Sequence, residues 1–389
     1  MTESQSFSPD GRPRARALGL HPAGTPGPWN AITDVPGVEV GYRTLIEGVG
    51  PLRVGDGPVR TGVTAILPRG RDGVGRPCAA GRYSLNGNGE MTGTAWIDEV
   101  GQLSMPVTIS NTHAIGACHT GTIGWINAVR PDLSRQWLLP VCAETWDGYL
   151  NDINGQHVTP ELVGAALDSA QSGPVQEGSV GGGTGMNCYA FKGGSGTASR
   201  LVEFGAQTYT VGVFLQANFG SRQELTIRGR RVGERLTVAN PQESTSWGTA
   251  PDQVPAAPGG SGSVIVILAT DAPLEPLQCK AMARRVPFGL ARTGTTGSLF
   301  SGDLFLAFST AGDRASDTGF PIGDPSGDEL VTTARMPWNR MDSLYTAVVE
   351  AVEEAVLNSL IVNTDMTGRD GHHSPALPHD QLLAALVEG

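Results

Sequence analysis

Ser263 has the clearest chemical potential in this sequence because of where it lies. It stands between a loop rich in Pro, Gly and Ser, at about 241–262, and the continuous apolar run 264–268. Its hydroxyl can attack the carbonyl of Gly262, and hydrolysis of the resulting ester frees the α-amine of Ser263. With an ordinary pKa of about 7.7–8.0, that amine can act as the base for its own hydroxyl. The position therefore suggests a serine that becomes a new N-terminus and then a nucleophile.

A purely structural role competes with this hypothesis. Gly-Ser pairs are common in linkers, and Ser261 is a second candidate in the same segment. Cleavage before Ser261 would leave two residues ahead of the strand, whereas Ser263 is the first residue of the strand. Gly262 suits a cleavage site because it lacks Cβ and tolerates a strained backbone. Taken alone, the pair favours the structural interpretation.

The elements that must position this junction are strands and helices mixed along the whole chain. Apolar runs predict strands, and capping residues and helical spacing predict helices. The predicted strands cover 62–68, 107–110, 137–145, 186–191, 209–216, 264–268 and 304–309. The predicted helices cover 115–129, 159–170, 276–290, 341–360 and 379–387. Only the segment 241–262 is long enough to separate domains, so we expect one layered α/β domain over residues 1–389.

Composition narrows the class of protein. The 389 residues carry a formal net charge of −11 and a pI near 5.1, which argue against nucleic acid or an anionic membrane surface as partners. The start of the chain has no apolar signal-peptide core and no stretch is long enough to span a bilayer, so a cytoplasmic location is expected. The five cysteines are widely spaced without a CxxC pair, which predicts buried free thiols.

Two other patterns are not expected to bind a cofactor. The run Gly181-Gly182-Gly183-Thr184-Gly185 lacks the GK[ST] ending of a phosphate-binding loop and precedes a predicted strand. His372, His373 and His379 do not have the spacing of metal ligands on one face. We therefore expect no metal and no cofactor.

Several motifs, in order along the chain, favour the catalytic interpretation of Ser263 over the structural one. They extend from about Arg14 to Asp380 and read TGVTAILPRG, LNGNGEMTGT, ISNTHAIG, AETWDGYLND, VGGGTGMNCYAFKGG, QANFG, GSVIVILATDAPLEPLQCKAMARR and SGDLFLAFST. With these motifs the chain resembles the DmpA/BapA family of aminopeptidases, which are self-processing N-terminal-nucleophile hydrolases. Many long motifs in family order are far more specific than one Gly-Ser pair.

The resemblance implies roles for four residues. The nucleophile is placed on Ser263, and two supporting residues are placed on Ser301 and Asp303 of the SGD motif. Ser301 would hydrogen-bond the hydroxyl or amine of the nucleophile, and Asp303 would hold the amine by a charge-assisted bond. Asn218, in QANFG, matches the asparagine that stabilises the oxyanion. Without the resemblance, these residues would be interpreted as an ordinary turn and a strand end.

The AETWDG motif matches the substrate-binding part of the family site. Glu144 matches a carboxylate that receives the free amine of the substrate, although alone it would be taken for a surface residue. Trp146 stands where relatives often have Tyr and where a second oxyanion donor is supplied. If that donor is a main-chain N–H, Trp146 retains it. If it is the hydroxyl of a tyrosine, the donor is absent here. Asn86, Asn88 and the segment 111–113 are expected to line or buttress the pocket by analogy, without specific roles.

The resemblance also implies the architecture and the mature form. It implies an α–β–β–α sandwich, fragments 1–262 and 263–389, and a homotetramer of processed heterodimers. The substrates implied are small peptides, amides or esters with a free amine. Two alternatives stay open at this point. One is an acyltransferase like the ornithine acetyltransferases, although those use Thr as the nucleophile. The other is an unprocessed, non-catalytic binding protein.

Overall fold

Two β-sheets, with helices on their outer sides, make up the fold. The computed structural model describes residues 2–240, 262–312 and 332–387. In chain order the strands of the two sheets and of three short pairs are β1 (Glu39–Glu47), β2 (Val59–Leu67), β3 (Cys78–Ser84), β4 (Gln102–Leu103), β5 (Val107–Asn111), β6 (Val141–Thr145), β7 (Asn187–Cys188), β8 (Phe191–Lys192), β9 (Gly194–Phe204), β10 (Gln207–Asn218), β11 (Thr226–Ile227), β12 (Arg230–Arg231), β13 (Gly262–Thr270), β14 (Ser301–Ser309), β15 (Met366–Thr367) and β16 (His373–Ser374). The described α-helices are α1 (Glu3–Ser6), α2 (Thr94–Val100), α3 (Ile115–Val129), α4 (Pro160–Asp168), α5 (Pro276–Ala283), α6 (Val286–Arg292), α7 (Asp342–Ile361) and α8 (His379–Val387).

The larger sheet contains the predicted cleavage site. Its six strands follow the order β4-β3-β14-β13-β10-β9, so β13 is an inner strand. It pairs antiparallel with β10 and parallel with β14. Every residue of β13 after Gly262 is buried. A strand covered on both faces and both edges accounts for the continuous apolar run that follows Ser263.

The smaller sheet has the order β1-β2-β5-β6 and faces the larger one. Alternate residues of β13 point to opposite sides, as strand geometry requires. Ile265, Ile267 and Ala269 join a core cluster that also contains Ile66 and Ile109 of the smaller sheet. The sheets are therefore packed face to face through the inner side of each.

The helices cover the outer side of each sheet. Val264, Val266 and Leu268 belong to a second cluster, which they share with buried residues of α5, α6 and α7. A third cluster joins the outer side of the smaller sheet to α3 and α4. The order of layers is helix, sheet, sheet, helix, and the predicted α–β–β–α fold is confirmed.

The strongest helix signals were correct. Thr159 caps α4 by accepting the Leu162 N–H, and Pro160 is the first helical residue. The helix ends at Asp168, two residues earlier than predicted. The helices predicted at 115–129, 341–360 and 379–387 are present as α3, α7 and α8.

Three element predictions were wrong in detail. The strand predicted at 137–145 begins only at Val141, because Trp137 is 77% exposed and cannot belong to a buried strand. The segment 186–191 is the hairpin β7–β8, whose connecting residues Tyr189 and Ala190 have φ of 52° and 56°. The helix predicted at 276–290 is two helices, α5 and α6, with Pro287 at the start of the second. The predicted loop at 241–262 lies, except for Gly262, outside the described residues.

Buried ion pairs fix the first residues of the chain to the core. Arg16 binds Glu354 of α7 at 2.7 Å, and Arg200 binds the same carboxylate at 2.7 Å. Arg14 binds Glu177 at 2.7 Å. Burial raises the pKa of Glu354, but the nearby Arg200 and Arg16 outweigh it and hold that pKa below its usual value. A cut at 262 would therefore leave the start of the first fragment joined to a helix of the second.

Three further predictions concern residues outside the site. All five cysteines are buried and no disulfide joins any two of them, as predicted. No helix within the described ranges is both long and apolar enough to cross a membrane. Within the same ranges, no group of three or more His, Cys, Asp or Glu side chains could hold a metal ion.

Candidate active site

Ser263 is the second residue of β13, between the end of β10 and the start of β14. Its partners across the sheet are Asn218 and Gly302. Ser263 Oγ donates a hydrogen bond to the Gly262 carbonyl oxygen at 2.7 Å and accepts one from the Gly302 N–H at 3.2 Å. The residue is 3% exposed. The hydroxyl therefore lies against the peptide bond that it would have to attack.

Gly262 is required at its position by a close approach of the chain. A Cβ added there would lie 1.9 Å from the carbonyl oxygen of Asn218 and 3.1 Å from the Cα of Phe219. Both neighbours belong to the main chain and cannot rotate away. Any larger residue would force β13 away from the end of β10, so the glycine is a packing requirement.

The amide of Asn218 is held from two sides. Its Nδ2 donates to the carbonyl of Trp146 at 2.9 Å, and its Oδ1 accepts from the main-chain N–H of Asn187 at 2.8 Å. An asparagine amide nitrogen carries two hydrogens, and the Trp146 carbonyl engages one. The second can donate to a developing oxyanion.

Ser301 and Asp303 are the first and third residues of β14. The Ser301 hydroxyl donates to Asp303 Oδ1 at 2.5 Å. Asn86, in the turn after β3, donates to Asp303 Oδ2 at 2.8 Å and accepts the Asp303 N–H at 2.6 Å. Both oxygens of the carboxylate are thus bound by neutral donors.

Burial raises the pKa of Asp303 above its ordinary value. Hydrogen bonds from Ser301, from Asn86 and from the main chain of Val264 act in the opposite direction and do not cancel the effect. The contact with Val264 brings this carboxylate beside the residue that follows Ser263. The buried, poorly solvated carboxylate of Asp303 could therefore bind a cation formed next to it.

Glu144 lies at the end of β6, in the smaller sheet. It is 1% exposed, so it is not the surface carboxylate that its sequence context alone favoured. It accepts the Glu90 N–H at 2.9 Å and the hydroxyl of Thr112. Burial raises its pKa, and the bond from Thr112 lowers it.

Gly89 shows how close Glu144 lies to the nucleophile strand. A Cβ added to Gly89 would lie 3.2 Å from Glu144 Oε1 and 2.9 Å from the Cα of Gly302. Gly302 in turn donates to Ser263 Oγ. The turn 84–90 therefore connects the carboxylate of one sheet to the serine of the other.

Two further ionisable side chains lie fully buried behind Asn218. Asp147 follows Trp146 directly, and burial raises its pKa to about 7. Lys192 donates to the carbonyls of Met186 and Gly193 at 2.7 and 2.8 Å, and burial lowers its pKa to about 7. Neither residue was singled out in the sequence analysis.

The predicted site residues form two groups. The structure brings Gly262, Ser263 and Asn218 together with Ser301 and Asp303 at one end of the larger sheet. It does not join the side chains of Ser301 and Asp303 to Ser263 by a hydrogen bond anywhere in the described chain.

The second group approaches from the smaller sheet. Glu144 lies close to Gly89, which packs against Gly302 of β14. The main-chain carbonyl of Trp146 accepts a hydrogen bond from Asn218. The Trp146 ring lies over Gly148, where an added Cβ would be 2.3 Å from ring carbon Cζ2.

The family resemblance placed Asn86 at the pocket without a specific role, and no sequence pattern pointed to Asn187. The first was noted in the LNGNG turn, and the second was hidden in a stretch interpreted as a plain strand. Their contacts with Asp303 and Asn218 span 217 and 31 residues of chain. No local pattern encodes pairings of this kind, so only the folded chain shows them.

The chain is similar to known proteins over most of its length. The model of the family described as "Peptidase family S58" matches residues 30–374. The beta-peptidyl aminopeptidase BapA of Sphingosinicella microcystinivorans is 46% identical over 374 residues, which are 96% of this chain and 92% of that protein.

Solved structures give the same result. The L-aminopeptidase D-Ala-esterase/amidase of Ochrobactrum anthropi, described as a prototype of the serine aminopeptidases with a variant of the Ntn hydrolase fold, superposes with a TM-score of 0.87 at 45% identity, covering 97% of this chain and 99% of that one. A beta-aminopeptidase of Burkholderia sp. superposes with a TM-score of 0.85 at 42% identity, covering 96% and 98%. The chain therefore belongs to peptidase family S58 and is an aminopeptidase of the DmpA/BapA type.

Proposed function

We propose that this aminopeptidase cleaves itself between Gly262 and Ser263 and then uses Ser263 as its N-terminal nucleophile. The observation that carries the proposal is the 2.7 Å hydrogen bond from Ser263 Oγ to the carbonyl oxygen of Gly262. The hydroxyl is already at the peptide bond to be broken. The inner position of β13 keeps it there.

The first step is an acyl shift within the chain. Ser263 Oγ bonds to the carbonyl carbon of Gly262, the C–N bond breaks, and the proton of the hydroxyl passes to the released amine. Water then hydrolyses the ester. The products are a carboxylate on Gly262 and a free α-amine and hydroxyl on Ser263.

The second step is hydrolysis of the substrate. The neutral α-amine takes the proton of Ser263 Oγ as the oxygen attacks the substrate carbonyl, and later gives a proton to the leaving group. The free hydrogen of Asn218 Nδ2 is the donor proposed for the oxyanion. Water attacks the resulting ester and releases the N-terminal residue.

Ser301 and Asp303 are proposed to hold the new terminus. In the intact chain the Ser301 hydroxyl donates to Asp303 Oδ1, and Asn86 donates to Asp303 Oδ2. Asp303 also contacts the main chain of Val264, the residue after the nucleophile. After cleavage, the α-ammonium that forms when the amine takes the Ser263 proton can pair with this carboxylate by a charge-assisted bond.

Glu144 is proposed to bind the free amine of the substrate. It is buried and lies beside Gly89, which also approaches the strand that bears Gly302. A fixed carboxylate near the nucleophile favours substrates that begin with an ammonium group. We propose that Trp146 supports this site through its main chain, with its ring shaping the pocket.

The proposed substrates are small peptides, amides or esters with a free amine. The named relatives comprise a beta-peptidyl aminopeptidase, a beta-aminopeptidase and an L-aminopeptidase D-Ala-esterase/amidase. All three names describe removal of one N-terminal residue or a related ester or amide cleavage. The proposed product is therefore a single amino acid of the α or β type.

We also propose that the processed protein is a homotetramer, as the family resemblance implies. Large apolar side chains are exposed at Leu299 (79%) and Phe300 (51%), beside the start of β14. Adjacent exposed apolar side chains support a subunit contact at this place. Light scattering on the purified protein measures the mass directly, and a monomeric mass would contradict the proposal. The cytoplasmic location stays a prediction from the sequence.

The proposed function is tested by mass spectrometry combined with an activity assay. Wild-type protein should give fragments 1–262 and 263–389 and should hydrolyse alanine p-nitroanilide. Ser263→Ala should give one intact chain without activity. The matched control is Ser261→Ala, which removes the competing hydroxyl and should be processed like the wild type.

The other outcomes separate the alternatives. An intact chain that still hydrolyses the anilide would exclude the terminal-amine mechanism. Cleavage at 262 without hydrolysis of any amide or ester would favour the acyltransferase. Fragments that begin at Ser261 would move the nucleophile by two positions.

A further inference from the structure

The segments on either side of the Asn218 amide are each anchored by a buried ionisable side chain. One segment is Trp146–Asp147, whose first carbonyl accepts from Asn218 Nδ2. The other is Met186–Asn187, whose second N–H donates to Asn218 Oδ1. The direction of the remaining amide hydrogen depends on both segments, because together they fix the plane of the amide.

Lys192 anchors the Met186–Asn187 segment. Its ammonium nitrogen donates to the carbonyl of Met186 at 2.7 Å and to that of Gly193 at 2.8 Å. Met186 directly precedes Asn187, and Asn187 pairs with Lys192 across the hairpin β7–β8. The lysine therefore binds both residues that flank the hairpin, next to the point where Asn187 contacts Asn218.

Asp147 anchors the other segment. Its Oδ1 accepts from Asn151 at 3.0 Å, and its main-chain carbonyl accepts the N–H groups of Leu150 and Asn151 at 3.1 Å each. Its Oδ2 is buried and has no hydrogen-bond partner among the described residues. The turn that carries the Trp146 carbonyl is thus closed on the aspartate.

Fold stability alone gives little reason for these side chains. Both residues are 0% exposed, and burying an ionisable group costs free energy unless other interactions compensate. The negative charge of Asp147 acts on Lys192 in the sense that favours its ammonium form. A buried aspartate and a buried lysine, each bound to one of the two segments that hold the Asn218 amide, have the arrangement expected of a support for that amide.

We propose that Lys192 and Asp147 are positioning residues that aim the Asn218 amide at the oxyanion of the reaction. The proposal rests on the oxyanion role proposed for Asn218. Lys192 acts on the oxygen of the Asn218 amide through the Met186–Asn187 segment. Asp147 acts on the amide nitrogen through the Trp146–Asp147 segment. Neither residue touches the substrate, so substrate binding should be nearly independent of both.

The test is a double-mutant cycle on kcat with alanine p-nitroanilide, normalised to the processed fraction by mass spectrometry. Lys192→Met should lower kcat by about 10–10²-fold, the cost expected of a small misplacement, while KM changes less than about threefold. In the Asn218→Ala background the same change should alter kcat by less than about threefold. Val348→Ala, which truncates a buried side chain of α7, is the control for general loss of stability and should keep the wild-type kcat.

The possible results test the oxyanion role of Asn218 separately from the positioning role of Lys192 and Asp147. If Asn218→Ala retains the wild-type kcat, the oxyanion role itself fails. If Asn218→Ala loses activity but Lys192→Met lowers kcat equally in both backgrounds, or not at all, the positioning role is overturned. Asp147→Asn keeps the shape of the side chain and is measured in the same double-mutant cycle, with the same expected loss of kcat. If Lys192→Met does not fold, the Asp147→Asn result tests the positioning role.

Discussion

Asn86 and Asp303 are joined by two hydrogen bonds, although 217 residues of sequence separate them. The amide nitrogen of Asn86 donates to Asp303 Oδ2 at 2.8 Å, and its oxygen accepts the Asp303 N–H at 2.6 Å. The same nitrogen also donates to the carbonyl of Ser298 at 3.0 Å. The turn 84–90 therefore sets both the position and the proton affinity of the carboxylate proposed to hold the new terminus.

Asn86→Ala should shift the acid limb of the pH profile of kcat/KM to higher pH. The proposed role of Asp303 requires its ionised form, and activity should fall as pH drops through its raised pKa. The bond from Asn86 lowers that pKa, so removing it should raise the pKa further. A loss of about tenfold in kcat/KM at neutral pH is expected, since bonds to charged groups are worth about 1.5–3 kcal/mol.

The control for this prediction is Asn127→Ala on the exposed side of α3, which should leave the profile unchanged. A shift of the acid limb to lower pH after Asn86→Ala would contradict the assignment.

Gly262→Ala should block processing. The added Cβ would lie 1.9 Å from the Asn218 carbonyl oxygen, so β13 must separate from β10 at the reacting bond. We expect an intact chain by mass spectrometry and a loss of activity of about 10²-fold or more, as misplacement of reacting groups produces. The matched control is Gly164→Ala in α4, where an added Cβ meets nothing within 4 Å. It should be processed normally and stabilise the fold by about 0.5–1 kcal/mol. Normal processing of Gly262→Ala would show that the close approach is not needed.

Glu144→Gln should weaken substrate binding more than it slows the reaction. It removes the charge proposed to receive the substrate ammonium, so KM for alanine p-nitroanilide should rise about tenfold or more with a smaller change in kcat. Propionyl p-nitroanilide, which lacks the amine, is the matched substrate and should be cleaved poorly and equally by both proteins. Because burial raises the pKa of Glu144, KM of the wild type should also rise as pH falls through that pKa. A variant that loses kcat and keeps KM would assign the carboxylate to the chemistry instead.

Glu354→Gln should destabilise the whole fold. The change leaves buried Arg16 with a neutral partner and Arg200 with the more distant carboxylate of Glu350 at 3.7 Å, and breaking such a buried pair costs about 3–5 kcal/mol. Urea unfolding followed by fluorescence, with every protein in the unprocessed Ser263→Ala background so that each unfolds as one chain, measures the free energy. Glu353→Gln, whose carboxylate pairs with Arg292 on the surface, should cost less than about 1 kcal/mol.

The pH dependence of stability checks the same cluster. Burial acts to raise the pKa of Glu354, but Arg200 and Arg16 hold it below the ordinary 4.5. The stabilisation is therefore complete above the unfolded-state pKa and is lost as pH falls through the lower pKa of the folded state. This part of the acid destabilisation should be missing from the glutamine variant.

The sequence was sufficient where function depends on neighbours along the chain. The junction at 262–263 is visible because composition changes abruptly there. The strand at 304–309 was also predicted, although the SGD motif before it, interpreted as a turn, is part of that strand. The caps of α4 are local as well, and the helix begins where Thr159 predicts.

What the sequence could not show depends on contacts between distant segments. The burial of Glu144 follows from the packing of the two sheets and not from the polar motif around it. The contacts of Asn86 and Asn187 come from turns that meet only in the folded chain. The strand predicted at 137–145 was too long because apolar residues at 137–140 were taken for core, and Trp137 is exposed.

The position of β13 between β10 and β14 affects how the cleaved protein unfolds and refolds. Once the bond before Ser263 is broken, one neighbour of this strand belongs to each fragment, and the ion pairs of Glu354 with Arg16 and Arg200 also join the two fragments. The native state should hold together, but a denatured sample becomes a mixture of two separate polypeptides. Refolding is then a bimolecular association that slows on dilution, whereas the newly made chain folds by itself. The lifetime of the mature enzyme would therefore be set by how slowly it unfolds and not by how well it can refold.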